Sequence, residues 1–159
     1  MLLFYYITIL TSIIGYGTIV NEKIINYKTD NLGQIGLIGI FSLLLISYIS
    51  TQLLAHSKIF NFIVFFLGNF FFLKYIFFKK ISKKNLKILF FVSCLMLISI
   101  FIYKNHDDFP YYHFPYTYYL TKSDLIVGLG NYDHGWRTPS SIFYFNSLFY
   151  LPFVKHYLF

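Results

Sequence analysis

"IFNFIVFFLGNFFFLKYIFFKKISKKNLKILFFVSCLMLISIFIY", residues 59–103, decides the fold, because two apolar runs flank one lysine cluster, Lys79, Lys80, Lys83, Lys84 and Lys87. As helices rising 1.5 Å per residue, Ile59 to Phe78 and Leu86 to Tyr103 are both long enough to cross a hydrocarbon layer of roughly 30 Å. The one charge inside the first run, Lys74, lies near its end, where its stem can carry the amine to the interface. Toward the N-terminus two further runs have the same character, Leu2 to Val20 and Ile35 to Ala55. With 57% hydrophobic and only 12% charged residues, the 159-residue chain has more apolar surface than a soluble globule of that size can hide. The expected architecture is all-α: a polytopic transmembrane helical bundle with four spans over residues 1–103.

Orientation follows from short basic loops, which stay cytoplasmic. The 79–87 loop is the strongest such signal, whereas the turn around "HSK" has only Lys58. This puts the N-terminus and the segment after the fourth span outside, and "NEKIINYKTDN" inside. No basic residue precedes the first run and no small-residue cleavage site follows it, so the first span is expected to stay. The net charge of +7 does not point to nucleic acid, since five of the thirteen cations sit in that single loop, where topology and anionic lipid headgroups account for them. Cys94, the lone cysteine, lies within the fourth run and supports no disulfide framework. The abundance of Phe, Tyr, Ile, Asn and Lys is what AT-rich codons produce, so a single Tyr or Phe carries little functional weight.

From Lys104 onward the composition changes: all four prolines, the only Trp and Arg, four of the six acids and four of the five histidines fall there. Residues 104–140 read as an extracytoplasmic loop with short interfacial helices. Asp107 or Asp108 can cap one with Pro110 in its first turn, and Pro115 can open a second running through Leu120. Thr138, Pro139 and two serines start an apolar helix over 141–159, which reads as a re-entrant segment or a truncated fifth span, kinked or ended at Pro152.

Two clusters hold the ionisable chemistry. In "NHDDFPYYHFPYTYYL", residues 105–120, Asp107 and Asp108 stand at the end of a span, where an unpaired carboxylate drawn into lipid would cost several kcal/mol. A cap needs only one acid, and His106 and His113 on either side are not needed for it. One carboxylate can serve as a base toward a hydroxyl while the other orients it or holds magnesium or manganese. Zinc lacks a suitable pattern, because Pro110 breaks the helix that would align His106 with His113. The second cluster is "NYDHGWRTPSS", where the guanidinium of Arg137 suits a phosphate or carboxylate. Asp133, His134 and Trp136 beside it add an acid, a group titrating near neutrality and a flat stacking surface. An Asp133–Arg137 ion pair and an interfacial tryptophan explain the same residues without a site. "GLGN" at 128–131 lacks the strand-to-helix context of a dinucleotide site, and no nucleotide cofactor is expected.

An acidic pair just outside a span, followed by proline-broken aromatic helices, resembles the first extracytoplasmic loop of GT-C type glycosyltransferases. More closely, "HDDFPYYHFPYTYYL…GLGN…HGWRTPSSIFYFNSLFYLP" is similar to a block of uncharacterised bacterial polytopic membrane proteins of GT-C-like character. The resemblance implies a bacterial inner-membrane enzyme of surface-glycan assembly. It would transfer a sugar from a polyprenyl-phosphate donor, with Asp107 or Asp108 as the catalytic base. GT-C enzymes usually carry this loop after the first span and continue for many more spans, so the chain is expected to be an N-terminal portion. The rival expectation is a non-enzymatic membrane protein, a transport component or an assembly partner. Against a transporter, the centres of the runs hold no acid, Arg or His. Asn69, a lone amide within the third run, reads as an interhelical hydrogen-bonding group.

Overall fold

The structure is a computed structural model and describes residues 2–27, 29–79, 82–100, 107–132, 134–137, 139–156 and 158. Among the described residues it is a helical bundle without strands: α1 (Leu2–Val20), α2 (Leu32–Thr51), α3 (Lys58–Lys79), α4 (Lys83–Ile100), α5 (Phe114–Leu120) and α6 (Ser141–Ser147). The four apolar runs overlap α1 to α4, but α2 stops at Thr51, short of Ala55, and α2 and α4 begin earlier than their apolar residues do, because polar caps set the starts. The Asn31 side chain accepts from Gly33 and Gln34 N–H groups, and Ser82 Oγ accepts from Asn85 N–H at 3.2 Å. Ser57 Oγ does the same for α3 through Phe60 N–H.

Helices α1 to α3 are long and apolar enough to cross a membrane. The start of α4 carries Lys83, Lys84 and Lys87, so its uninterrupted apolar part, 88–100, covers about 20 Å; residues 101–106, which would extend it, lie outside the described residues.

α1 is the centre of the bundle. Gly15 and Gly17 are two residues apart and so face opposite sides of the helix, Gly15 toward α3 and Gly17 toward α2. A Cβ on Gly15 would run into the Gly68 carbonyl oxygen, and one on Gly17 into that of Ile35; Gly39 and Gly68 are equally closed against Ile13 and Ser12. Backbone therefore meets backbone on both sides of α1, the contact by which helices associate in lipid, where burial of apolar side chains from water gives no drive. Asn69 acts as expected: its Nδ2 donates to Thr8 O (3.0 Å) across the α1–α3 seam while its Oδ1 accepts from Thr11 Oγ1 at 2.6 Å. Phe62, Phe66, Phe70 and Phe77 of α3 point outward.

After the long helices comes a small lobe. α5, α6 and the single turns Leu129–Asn131 and His134–Trp136 enclose a core of Tyr116, Leu120, Leu129, Phe143 and Tyr144. α5 opens with Pro115 in its first turn and ends at Leu120, as the sequence implies. α6 differs from the expected helix over 141–159. It is capped by Ser140 and stops at Ser147, a length of about 10 Å, followed by turns up to Lys155. Two causes are visible: Pro152 has no N–H to offer the Leu148 carbonyl, and the Ser147 and Tyr150 carbonyls are taken by a side chain of α3, Asn61 (2.9 and 3.0 Å). The lobe thus closes onto the end of the bundle where α1 and α3 begin and α2 ends. Tyr5 OH donates to Pro152 O at 2.6 Å, His56 N–H to Leu120 O at 2.9 Å, and Leu125 N–H to Thr51 O at 2.7 Å.

Candidate functional site

The two polar clusters of the sequence meet on the lobe. Asp108 begins a single π-helical turn, Phe109–His113, with Pro110 at its start. Its side chain does not cap that turn; its Oδ2 instead accepts a hydrogen bond from Tyr112 OH at 2.7 Å, while its carbonyl accepts from the N–H groups of Tyr111 and Tyr112. That hydrogen bond to the carboxylate, with some burial and the negative charge, raises the Tyr112 phenol above its ordinary value, so Tyr112 is a donor here and not a base. Asp107 is exposed. His113 is half-buried, with its ring 5.0 Å from that of Phe143 and 4.5 Å from that of Tyr112.

The second cluster packs against the first through Tyr112 and the aromatic face of α5. A Cβ on Gly135 would lie 2.7 Å from Cγ of Tyr112, so only glycine lets the His134–Trp136 turn sit this close. Trp136 stands edge-on to Tyr116 (5.7 Å) and tilted against Tyr119 (6.1 Å). Its indole Nε1 is buried with no hydrogen-bond partner among the described residues. Arg137 is exposed, and its backbone lies tight against Gly130, where a Cβ would come within 2.9 Å of Cα of Arg137. His134 is exposed. Asp108, His113, His134, Trp136 and Arg137 therefore share one small aromatic lobe at one end of the bundle. His106, Asp133 and Thr138 lie outside the described residues, and with them the Asp133–Arg137 ion pair. Among the described residues no three of His, Cys, Asp and Glu converge. Among the described residues, a magnesium or manganese ion at 107–108 would rest on the Asp107 and Asp108 carboxylates and otherwise on substrate or water oxygens, a set that hard cation accepts.

Beneath this surface lies a buried polar junction that the sequence reading passed over. His56, in the α2–α3 connection, is fully buried between Ser50 Oγ on Nε2 (2.7 Å) and Ser147 Oγ on Nδ1 (2.6 Å). Ser147 Oγ gives its own proton to Tyr144 O at 2.7 Å, so it accepts from the ring, and the neutral imidazole carries its hydrogen on Nδ1. Ser50 Oγ is then the donor to Nε2. Asn61, also fully buried, places Nδ2 within 3.0 Å of the His56, Ser147 and Tyr150 carbonyls. Nearby, Tyr116 OH and Tyr144 OH share a hydrogen bond of 2.9 Å, and burial together with that bond raises the Tyr116 phenol strongly. The signal that could have found this junction is the rule used for Asn69: a polar side chain between or inside apolar runs must have a partner.

Burial lowers the His56 imidazole to about 4. Its ordinary value is about 6.5, so between these two pH values the unfolded chain binds the proton that the folded chain refuses. The contribution to stability is therefore complete above about pH 6.5 and is lost as pH falls toward 4, by about 3 kcal/mol. Ser50 could turn its proton to Ser47 O (3.2 Å) and accept from a charged ring, so the cost is that of burying charge and not of a lost hydrogen bond. Unfolding of the purified protein in detergent, followed from pH 7 to 4, should show this slope, and His56→Gln should flatten it. An equal slope in the variant would assign it to other groups.

No family model, curated protein or solved structure matches this chain.

Proposed function

We propose that the chain is an integral membrane glycosyltransferase of GT-C-like kind, or a portion of one, that transfers a sugar from a polyprenyl-phosphate donor in surface-glycan assembly. The observation that supports it is the meeting of the carboxylate turn at 107–113 with the arginine turn at 134–137, two opposite charges carried on one lobe against the bundle end. In this reading the lysine-rich end faces the bacterial cytoplasm and the lobe faces outward at the membrane surface. Asp107 or Asp108 takes the proton of an acceptor hydroxyl; the oxygen attacks the anomeric carbon as the bond to the lipid phosphate breaks, with inversion. Arg137, with His113 or His134, neutralises the departing phosphate. Trp136 packs against Tyr116 and Tyr119 and is half-buried, so only the part of its ring face left open could stack on a sugar.

The test is transfer from a labelled polyprenyl-phosphate sugar by membranes containing the whole protein. Asp107→Asn or Asp108→Asn should lower the rate by ~10² to 10⁴ with insertion unchanged. Arg137→Lys should weaken donor use, because the amine keeps the charge and loses the two-pronged geometry. Full transfer in both single Asp variants and the double variant would reject the assignment. A second reading, an assembly partner, is favoured by Val127 (99% exposed) and Tyr132 (84%) on the same lobe. There, Val127→Asp would abolish association while the Asp variants would be silent.

A further inference from the structure

At the end of the bundle opposite the lobe, a groove of about 620 Å³ runs between α1, α2 and α4. Its walls are apolar: Leu10, Ile13 and Ile14 from α1, Leu37 and Ile40 from α2, and Ile88, Leu89 and Val92 from α4. Its floor is low where α2 carries Gly33 and Gly36, and a Cβ on Gly36 would meet nothing within 4 Å. α4 is tied across the gap by hydrogen bonds from Tyr6 OH to Ser93 O (2.8 Å) and from Asn85 Nδ2 to Asp30 O (2.7 Å). From Leu32 to Ile40 on α2, and from Lys84 to Val92 on α4, the groove extends about 12 Å along the helices, close to the depth of one leaflet's hydrocarbon. The mouth is different in kind: it is closed by an acid, Asp30, an amine, Lys84, and the amides Asn31 and Asn85.

We infer that this groove holds one glycerophospholipid of the lysine-rich leaflet, with an acyl chain along α2 and a headgroup that carries both a phosphate and a primary ammonium. The chemistry of the mouth selects it. Lys84 complements the phosphate, and Asp30 accepts from an ammonium, which a quaternary choline cannot donate to. A purely anionic head would meet Asp30 as a like charge. A further helix would satisfy the walls but would bring no group to match an acid and an amine at the same depth. The volume lies in the range of small-molecule sites, and the charged mouth distinguishes it from ordinary lipid-facing surface. The inference needs the bundle to lie in a membrane but does not depend on any glycosyltransferase activity.

Native mass spectrometry of the whole protein, released from membranes of equal parts phosphatidylethanolamine, phosphatidylglycerol and phosphatidylcholine, tests it. One phosphatidylethanolamine should be retained in several-fold excess over either of the others. Gly36→Leu, whose Cβ meets nothing within 4 Å and whose longer side chain would take up groove volume, should remove the retained lipid. Asp30→Asn should erase the preference over phosphatidylcholine, and Lys84→Gln should weaken retention of all three. Equal retention of the three lipids, a preference for phosphatidylglycerol, or unchanged retention in Gly36→Leu would overturn the inference. So would a dimer that Gly36→Leu dissociates, which would assign the groove to a second copy of the chain.

Discussion

Asn61→Leu is expected to detach the lobe from the bundle and to cost about 2–5 kcal/mol. Leucine matches asparagine in the number and branching of its side-chain heavy atoms but sets a methyl where Nδ2 lies, so the donor is lost and the three carbonyls must also draw back. One amide nitrogen serves the carbonyls of His56, Ser147 and Tyr150, all within 3.0 Å, and its two hydrogens make two full bonds with the third shared. The Asn61 orientation is forced, since turning the amide would set its oxygen against three carbonyl oxygens. Removing the donor takes this hydrogen bond from all three carbonyls, and although Ser147 O keeps Tyr150 N–H at 3.3 Å, the cost is about 1–3 kcal/mol for each group left without a partner. The same change at Asn69 should be milder, about 0.6–2 kcal/mol, because that interhelical hydrogen bond lies on a seam that glycine packing also holds. The measurements are unfolding in detergent and limited proteolysis of the 121–128 connection, which should become cleavable in Asn61→Leu alone. A variant as stable and as resistant as the parent would show that the lobe is held elsewhere.

The contrast between the two asparagines shows how far the sequence could be read. Asn69 sits in the middle of an apolar run, so its need for a partner was evident and a neighbouring helix was the natural supplier. Asn61 needs three carbonyls, two of them 86 and 89 residues away in sequence, and no local pattern announces a partner that arrives by tertiary folding. Three of the four expected spans, α1 to α3, were legible because apolar length dictates them, and the starts of α2 and α4 were displaced where Asn31 and Ser82 cap the helices. Pro110 and Pro115 likewise marked the turns of the lobe. The end of α6 was not legible: "SSIFYFNSLFYLPF" is apolar enough to continue, and what stops it is Asn61 from another helix together with Pro152.

The candidate site was half legible. Asp108 and Arg137 stand out as charges in an aromatic segment, and their two segments do share one lobe. What joins them, Tyr112 against Gly135 and Tyr116 against Trp136, could not be singled out among 16 tyrosines in a chain of this composition. Their contact also has a functional consequence for the proposed chemistry. Tyr112 donates its hydroxyl proton to Asp108, so Tyr112→Phe should take that one hydrogen bond from the carboxylate without moving the turn, and transfer should change if Asp108 is the proposed base and stay the same if Asp107 is.

Gly15→Val is the second change expected to have a large effect, because it pushes apart the seam that holds α1 against α3. The added Cβ would enter the Gly68 carbonyl and come within 2.8 Å of Phe72 N, both backbone, so no side chain can turn away to make room. The helices must separate, which also stretches the Asn69 hydrogen bond to Thr8 and opens the contact around Tyr16. Overpacking of this kind costs about 1–3 kcal/mol and can exceed that where backbone is the obstacle. Gly15→Ala should already show most of the loss, since the first carbon makes the clash. Gly36→Ala, with nothing within 4 Å, is the matched control and should be neutral or stabilising by up to ~1 kcal/mol from helix propensity. Gly68→Ala closes the same contact from the other side, so the double variant Gly15→Ala/Gly68→Ala should cost clearly less than the sum of the two single changes. Unfolding in detergent of these variants decides it. Full additivity, or a Gly15→Ala protein as stable as Gly36→Ala, would mean that the α1–α3 seam does not carry the bundle.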